Sequence, residues 1–329
     1  MARFDDTQLR ALIDLRDAYD ATLSLWRVSD RHAGRMSWKT ISGRDYLYHV
    51  HGDAGVGRSL GPRSPDTELA YETFRNGKLE TKAQLAATEP DMKRAAAVYT
   101  AVGLPVSDSW AAKLFQHLDR EGMMGRAVLV VGTNAMPAYQ IEAQERMATR
   151  IHATRDTDLA WRGEDAGDTP MLWPVIREFD PTFRVNAERP FQAIGRGSRE
   201  LELLAAPSVL NSLGSEPFRP VSGLVEQEWL LLGEPLRQVI CSLDRTPCGI
   251  VVPDPRFFAL HKAWLSTKPG RDPLKATKDM TQARLVWSWL GNMPRYPVDA
   301  NFIRSVPEAL QDTQTSLGRW TALDDRRHT

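Results

Sequence analysis

The sequence predicts a mixed α/β fold, of the α/β or α+β class, in which helices flank a mixed sheet. An apolar run at Ala127–Val131 indicates a buried strand. Apolar and polar residues alternate at Asp156–Leu159 and at Glu200–Leu204, which is typical of strands with one buried face. Helical spacing of apolar residues predicts helices at Asp6–Arg27 and Asp272–Leu290. Strand patterns and helix patterns in one chain favour a fold that combines a sheet with helices.

The N-terminal part of the chain is expected to combine helices with a small β-hairpin region. Helical spacing predicts one helix at Asp6–Arg27, and the glycines and aromatic residues of Met36–Leu60 predict an antiparallel meander. Ser64-Pro65-Asp66 is a typical helix start, so a long helical region is predicted after it. Gly77 and Pro90 are expected to break that region.

Two features of this N-terminal part allow alternative interpretations. Gly52–Ser59 resembles a phosphate-binding loop, but Arg58 stands where that motif requires lysine, and a hairpin turn explains the glycines equally well. The aromatic and basic side chains of the meander suit contact with a nucleic-acid acceptor, whereas the alternative is a solvated sheet with packed tyrosines. These side chains are Tyr46, Tyr48, Arg58 and Arg63.

The remainder of the chain is predicted to alternate between helices and strands. In order, the predicted elements are a helix at Ser109–Glu121, the strand at Ala127, strands between Phe183 and Leu204, strands at Trp229–Leu232 and Val239–Val252, and amphipathic helices at Arg256–Leu265 and Asp272–Leu290. Asn134, directly after the first of these strands, is expected to cap the next helix.

The chain has 329 residues, which is enough for about two domains. Pro105 and its polar neighbours make Leu104–Asp108 the expected main boundary. We therefore expect a helical and β-meander region at residues 1–105, a core at 106–215, and C-terminal strands and helices at 216–329.

The composition indicates no general affinity for nucleic acid or membranes. Lys and Arg together number 42, as do Asp and Glu, so the net charge is zero, although a local basic groove remains compatible with that balance. No segment resembles an export signal or approaches the ~18 apolar residues of a membrane helix. We expect a soluble cytoplasmic protein with no membrane partner. Its two cysteines, Cys241 and Cys248, are expected to be reduced core residues and not a disulfide or a zinc site.

Two aspartates provide the most informative motif of the chain. Side chains alternate along a strand, so Asp156 and Asp158 are expected on one face, with Thr157 and Leu159 toward the core. Paired carboxylates suit Mg²⁺, which is usually held by one or two carboxylates together with substrate phosphates. Gly132 and the residue after it supply a turn before a helix, where phosphate is favoured. The two parts together predict a site for phosphate and metal.

The ordered set of a Gly-Thr turn, a helix, an Asp-x-Asp strand and a later acidic strand resembles the polymerase-β-like nucleotidyltransferase superfamily. Within it, Val130–Tyr139 and Ala153–Leu159 are similar to a bacterial group known as nucleotidyltransferase-fold proteins. The resemblance covers roughly Ser109–Leu290. It implies a nucleotidyltransferase-type mixed sheet.

The resemblance also implies a third carboxylate on the later strand. Glu202 fits the pattern of an acid followed by two apolar residues, but Glu200 lies on the same face and remains an alternative. A glutamate at this position departs from the usual aspartate, and Thr133 departs from a frequent serine.

The roles implied by the resemblance concern a nucleoside triphosphate and two Mg²⁺ ions, or alternatively Mn²⁺. Asp156, Asp158 and Glu202 would hold the ions and serve as the catalytic residues. The nucleotide-binding residues would be Gly132, Thr133, Arg155, Lys262, Lys278 and Asp279. For the helical members of that set, the alternative is a solvated helix face with paired charges.

The implied reaction moves a nucleoside monophosphate from a triphosphate such as ATP to an acceptor. RNA, protein or a small molecule are all compatible acceptors, and a toxin-like transferase with a cognate regulator is included among the possibilities. The alternative is a catalytically inactive module that binds nucleotide or a partner. The sequence leaves the base of the nucleotide open.

Overall fold

A computed structural model of the protein describes residues 2–51, 57–147, 156–163, 171–213, 218 and 223–325. The chain forms two compact units. The smaller unit is Asp14–Ala97, and the larger unit combines Met1–Ile13 with Val98–Thr329. In these described ranges no helix is long and apolar enough to cross a membrane.

The elements alternate along the chain as a mixed α/β fold, which confirms the predicted fold class. The strands are β1 (Ala2–Arg3), β2 (Arg35–Ile41), β3 (Arg44–Val50), β4 (Gly57–Pro62), β5 (Val106–Ser107), β6 (Val128–Val130), β7 (Glu145–Arg146), β8 (Asp156–Trp161), β9 (Arg184–Val185), β10 (Gln192–Ile194), β11 (Glu200–Ala205), β12 (Leu236–Ser242) and β13 (Pro247–Val252). The α-helices are α1 (Asp6–Arg31), α2 (Pro65–Ala101), α3 (Ser109–Arg120), α4 (Met136–Ala143), α5 (Leu172–Phe179), α6 (Pro255–Thr267), α7 (Pro273–Trp289), α8 (Ala300–Ser305) and α9 (Glu308–Asp325).

The smaller unit contains the predicted meander, in which β2, β3 and β4 pair antiparallel in chain order. The predicted breaks in the following helix are wrong, because α2 runs unbroken through Gly77 and Pro90. A Cβ at Gly77 would lie 2.6 Å from His32 Nε2, so this glycine makes room for an imidazole ring. Pro90 has no backbone N–H, so the carbonyl of Ala86, four residues earlier, has no helical hydrogen-bond donor. Ala86 is exposed, so water can bind this carbonyl.

A five-stranded mixed sheet, ordered β6-β8-β11-β10-β9, forms part of the larger unit. Its central pair, β8 and β11, is parallel, and the other neighbours are antiparallel. Thr157 and Leu159 on β8 and Leu201 and Leu203 on β11 are buried, so one face of this pair packs into the core. The opposite face carries the acidic residues that alternate with them.

A second sheet of the larger unit, ordered β13-β12-β5, contains the hairpin predicted at Val239–Val252. Cys241 lies opposite Pro247 in the strand register, and Cys248 lies opposite Ile240. Both thiols are buried and free, as expected. Burial raises the pKa of Cys241 to about 12, which keeps it as an unreactive thiol.

The strand predicted at Trp229–Leu232 is wrong, because Val225–Leu231 forms a 3₁₀ helix. A short apolar run does not distinguish a strand from a buried helical turn. Here the Trp229 ring packs edge-on against Trp264, with 5.0 Å between the ring centroids, and this tertiary contact accompanies the helical turn.

The helices predicted near the C-terminus are confirmed as α6 and α7, which pack along each other. Each begins in the same way, with an aspartate before a proline in the first turn. Asp254 accepts a hydrogen bond from the Arg256 N–H, and Asp272 accepts from the Leu274 N–H. These caps fix where both helices start.

Candidate active site

The carboxylates of β8 and β11 form an ordered acidic group on one face of the sheet. The parallel register places Glu200 beside Asp156 and Glu202 beside Asp158. Because side chains alternate along both strands, all four project away from the buried leucines. Glu202 is therefore the cross-strand neighbour of the second aspartate.

The two glutamates differ in their surroundings. Gln192 donates a hydrogen bond of 2.9 Å to Glu200 Oε2 and a longer one of 3.4 Å to Glu202 Oε1. Glu202 lines the cavity described below, whereas Glu200 does not. The geometry favours Glu202 as the third acidic residue of the site.

Gly132 lies directly against the Asp158 carboxylate. The backbone N–H of Val131 donates to the Asp158 carbonyl at 3.1 Å, which holds the end of β6 beside β8. At Gly132 φ is +66°, and a Cβ there would overlap Asp158 Oδ2 and lie 3.2 Å from its Cγ. Both the left-handed backbone and the close carboxylate require glycine at this position.

The residues after Gly132 are held by contacts to β8 and α7. Gln282 of α7 donates from Nε2 to Thr133 Oγ1 at 3.3 Å, which leaves the threonine hydroxyl hydrogen able to donate to a ligand. Asn134 donates from Nδ2 to the Asp156 carbonyl at 3.4 Å. The expected helix cap at Asn134 is therefore wrong, because no side chain caps α4 and the amide ties the turn to the acidic strand.

A cavity of about 350 Å³ opens over this acidic face and is bounded on its other sides by α6, α7 and the 3₁₀ helix Val225–Leu231. It is lined by eight residues predicted from the sequence: Gly132, Thr133, Asp156, Asp158, Glu202, Lys262, Lys278 and Asp279. The ninth, Arg155, lies outside the described residues.

A buried ion-pair network forms one wall of the cavity. Asp279 is 2% exposed, and one of its carboxylate oxygens accepts a hydrogen bond of 2.8 Å from Lys262 Nζ. Its other oxygen accepts from Arg271 Nε at 2.9 Å and from Arg271 Nη2 at 2.5 Å. Two cations share one carboxylate, so the network carries a net positive charge beside the cavity. The solvated-helix alternative does not describe Lys262 and Asp279, since both are buried.

Two further lysines of α7, Lys275 and Lys278, line the cavity. Within the part of the chain that the structure describes, neither forms an ion pair. Burial lowers the pKa of Lys278, and the positive charge of Lys262 lowers it further, while Asp158 opposes that change. Lys268, also on the wall, has its charge offset by Glu226 at 2.6 Å. Unpaired positive charge therefore concentrates on α7.

Burial and mutual repulsion raise the pKa values of two carboxylates in the acidic group. Burial raises the pKa of Asp158; Lys262 opposes this shift and Asp156 adds to it. Burial also raises the pKa of Glu202, and the charges of Asp158 and Asp156 raise it further. Such mutual repulsion is what a bound cation relieves, because opposite charge favours the ionised form.

The acidic face supplies only part of a metal coordination shell. Among the described residues, no group of three or more His, Cys, Asp or Glu side chains is arranged to hold an ion by itself. Mg²⁺ is commonly bound by one or two carboxylates, with water and substrate phosphates completing the shell. Asp156 and Asp158 on one strand face, beside a cavity with cationic walls, fit that pattern of binding.

The cavity lining also has an apolar part, and two buried polar atoms of the lining are unsatisfied. Leu204, Leu224 and Leu230 contribute its apolar surface. The buried atoms Gln227 Oε1 and His261 Nε2 have no hydrogen-bond partner among the described residues. Burial lowers the pKa of His261 to about 3, and nearby Lys262, Arg271 and Lys268 contribute, so this imidazole is neutral at pH 7.

Several lining residues were not among the predicted site residues. Arg271 and Lys268 lie at or beyond the end of α6, in a polar stretch that resembles an ordinary loop. No motif in the sequence pointed to Gln227, which lies just before the strand predicted at Trp229–Leu232. Gln282, which contacts Thr133 but does not line the cavity, had one usable signal, since it falls one helical turn beyond Asp279 on α7.

A comparison with protein-family models finds one whose description is Nucleotidyltransferase, matching residues 110–302. This match spans more than half of the chain and includes every described element around the cavity, so the protein belongs to this nucleotidyltransferase family. No curated protein matches the chain, and no solved structure does.

Proposed function

We propose that the protein is a Mg²⁺-dependent nucleotidyltransferase that moves a nucleoside monophosphate from a nucleoside triphosphate to an acceptor hydroxyl, with release of pyrophosphate. One observation carries the proposal: the acidic face of β8 and β11 and the lysines of α7 line the same cavity. A magnesium triphosphate needs carboxylates for its metal and cations for its phosphates. The family match supports the general class of reaction.

In this proposal Asp156, Asp158 and Glu202 hold the metal side of the substrate. Magnesium bound there would neutralise phosphate charge and lower the pKa of an attacking hydroxyl. Two ions are proposed, by likeness to the polymerase-β-like superfamily, with Mn²⁺ as a substitute. The carboxylates bring negative charge to a partly desolvated face, where an oxygen-ligated divalent cation is favoured.

The phosphate side of the site is formed by the turn and by α7. Gly132 allows the backbone to approach closely, and the Thr133 hydroxyl is oriented by Gln282 toward a donor role. Lys278 and Lys275 would pair with phosphate oxygens because both line the cavity and neither forms an ion pair with a residue that the structure describes. Arg155 remains a proposed contact on the strength of the sequence motif.

The buried network of Lys262, Arg271 and Asp279 positions the positive charge near these phosphates. Asp279 is fully engaged with two cations, so its proposed role is to orient them and not to contact the nucleotide. Because two cations share one carboxylate, one unit of positive charge is left for the substrate. Fixed charges of this kind stabilise a transition state without the cost of reorganising solvent.

The nucleoside would lie against the apolar part of the cavity. Leu224 and Leu230 offer surface to a base, and Gln227 offers a buried amide oxygen that can accept a hydrogen bond. Base recognition by an amide of this kind leaves a large penalty for a base that does not pair with it. The acceptor stays open between RNA, protein and a small molecule, and so does a toxin-like role with a cognate regulator.

The test begins with isothermal titration of the four nucleoside triphosphates, with and without Mg²⁺. Wild type is compared with Asp156→Asn/Asp158→Asn, and with Glu178→Gln as a matched control that neutralises one exposed carboxylate of α5 in the same unit. We expect Mg²⁺-dependent binding of one triphosphate that the double variant loses and the control retains. Absence of binding to wild type contradicts the proposal.

A second measurement separates an enzyme from an inactive binding module. Pyrophosphate release is followed with the preferred triphosphate and pooled RNA, protein or small-molecule acceptors. Release that depends on Asp158 supports transfer. Tight triphosphate binding without release from any acceptor pool favours the binding module, an alternative supported by the glutamate at position 202 where the resembled superfamily usually has aspartate.

A further inference from the structure

The three-stranded sheet of the smaller unit has one exposed face that combines tyrosines with positive charges. In the antiparallel register Lys39 lies opposite Tyr46, Ser37 opposite Tyr48, and Ile41 opposite Arg44. Residues directly opposite each other share a face, as do residues two apart along a strand. We call the surface formed by Arg35, Lys39, Arg44, Tyr46 and Tyr48 the tyrosine face.

The other face of the same sheet is covered by α2. Trp38 packs against Tyr71 of that helix with 6.0 Å between ring centroids, and His49 packs against Phe74 at 5.2 Å. Leu47, on this covered face, is fully buried. The tyrosine face therefore lies on the side of the sheet away from α2. Its residues Arg35, Lys39 and Arg44 are exposed, and both tyrosines are partly exposed.

The charge on the tyrosine face has one sign. In the described strands β2, β3 and β4 the one acidic residue is Asp45, which lies on the covered face and binds Thr40 and Arg63. Within the described residues, Arg35, Lys39 and Arg44 form no ion pair. Lys39 Nζ instead lies 4.8 Å from the centroid of the Tyr48 ring. Three uncompensated cations thus surround two accessible aromatic rings.

We propose that the tyrosine face binds single-stranded nucleic acid. Unpaired bases would stack on Tyr46 and Tyr48, and the phosphates between them would contact Arg35, Lys39 and Arg44. Exposed aromatics on a small sheet with flanking cations provide both interactions that a single strand needs. A duplex conceals its base faces, so it can use only the cations. This inference rests on the smaller unit alone and does not depend on the proposed nucleotidyl transfer.

The test measures fluorescence anisotropy of a labelled single-stranded RNA of about 20 nucleotides with the full chain. It is run in EDTA without nucleotide, so the site formed by Asp156 and Asp158 does not contribute. The charge variant is Arg35→Glu/Lys39→Glu/Arg44→Glu, and its matched control is Lys82→Glu/Lys93→Glu/Arg94→Glu, which reverses three exposed cations of α2. The stacking variant is Tyr46→Leu/Tyr48→Leu, and its matched control is Tyr46→Phe/Tyr48→Phe.

We expect the charge variant to weaken binding at least 10-fold and to reduce the slope of log affinity against log salt by about 2, as loss of three phosphate contacts implies. Its α2 control should stay within about 3-fold of wild type. Loss of stacking should weaken binding about 5-fold or more, whereas the phenylalanine control keeps the rings and the affinity.

Three results would each overturn the proposal. One is no binding of RNA by wild type at low salt. Another is equal loss of affinity in the two charge-reversal variants, which would indicate a general effect of net charge. The third is unchanged RNA affinity in the leucine variant together with equal binding of duplex RNA and heparin, which would indicate a polyanion surface or an acidic protein partner. Urea unfolding of every variant shows whether the smaller unit remains folded.

Discussion

Lys262 Nζ donates to Asp279 Oδ1 over 2.8 Å in a pair whose side chains are 11% and 3% exposed. The same carboxylate also holds Arg271, so one anion compensates two cations from different segments. Removing the anion leaves both cations without their buried partner, which costs far more than losing a surface pair.

We therefore predict that Asp279→Asn lowers the free energy of unfolding by about 3–5 kcal/mol. Urea denaturation followed by tryptophan fluorescence measures this quantity. Glu234→Gln is the matched control, because it removes an acid from the exposed pair with Arg295, and its cost should stay below about 1 kcal/mol. Equal effects of the two substitutions would show that the buried network does not stabilise the fold.

Gly132 provides a prediction about the turn next to the acidic strand. Gly132→Ala introduces a Cβ that overlaps Asp158 Oδ2, in addition to the strain of φ +66°. Gly122→Ala is the matched control, because Gly122 has φ +72° and open space around its Cβ position. The control should cost about 1–2 kcal/mol of stability from the backbone alone.

The Gly132 variant should cost more than this control and should also weaken Mg²⁺-dependent triphosphate binding by at least about 10-fold, since about 1.4 kcal/mol of lost interaction corresponds to that factor. Thermal unfolding and isothermal titration measure the two effects. Retention of wild-type affinity in Gly132→Ala would argue that Asp158 is not held in its binding position by this turn.

The acidic strand could be predicted from the sequence because its signal is local. Alternation alone places Asp156 and Asp158 on one face, and the structure has this arrangement, with Thr157 and Leu159 buried. The sequence also predicted Glu202 on a later strand, but it did not predict that this strand pairs parallel with the first. Periodicity likewise located α6 and α7 to within a few residues.

The errors arose where tertiary contacts outweigh local preference. Gly77 interrupts no helix because its missing side chain accommodates His32, which is distant in sequence. The segment around Trp229 is helical where its ring meets Trp264. Arg271 could not be assigned to the site, because its salt bridge to Asp279 depends on how the loop after α6 folds back.

Lys275 and Lys278 allow a prediction about which part of the substrate they contact. If they pair with phosphates, Lys275→Ala/Lys278→Ala should weaken triphosphate binding by about 10-fold or more, and weaken monophosphate binding much less. The matched control is Lys268→Ala, which lines the same cavity but is compensated by Glu226. Titration with tri-, di- and monophosphates of the preferred nucleoside measures the difference. An equal loss of affinity for all three ligands would show that these lysines do not contact the β- and γ-phosphates.

His261 allows a prediction about the pH dependence of stability. Its pKa is lowered from 6.5 to about 3 by burial and by Lys262, Arg271 and Lys268, so the unfolded chain binds a proton here that the folded chain does not. Between pH 6.5 and 3 the unfolded state therefore gains protons, and folding stability falls as pH falls. The loss of folding stability is up to about 1.4 kcal/mol for each pH unit in that window. Above pH 6.5 none of this stability is lost.

The measurement compares urea unfolding of wild type and His261→Phe between pH 7.5 and 4.5. Phenylalanine keeps a ring against Trp229 but cannot bind a proton, so the variant should lose stability less steeply as the solution is acidified. Carboxylates contribute equally to both proteins, and the difference between the two slopes isolates the imidazole. Parallel slopes would mean that His261 accepts a proton in the folded state about as readily as in the unfolded chain, and that the cavity wall around it is open to water.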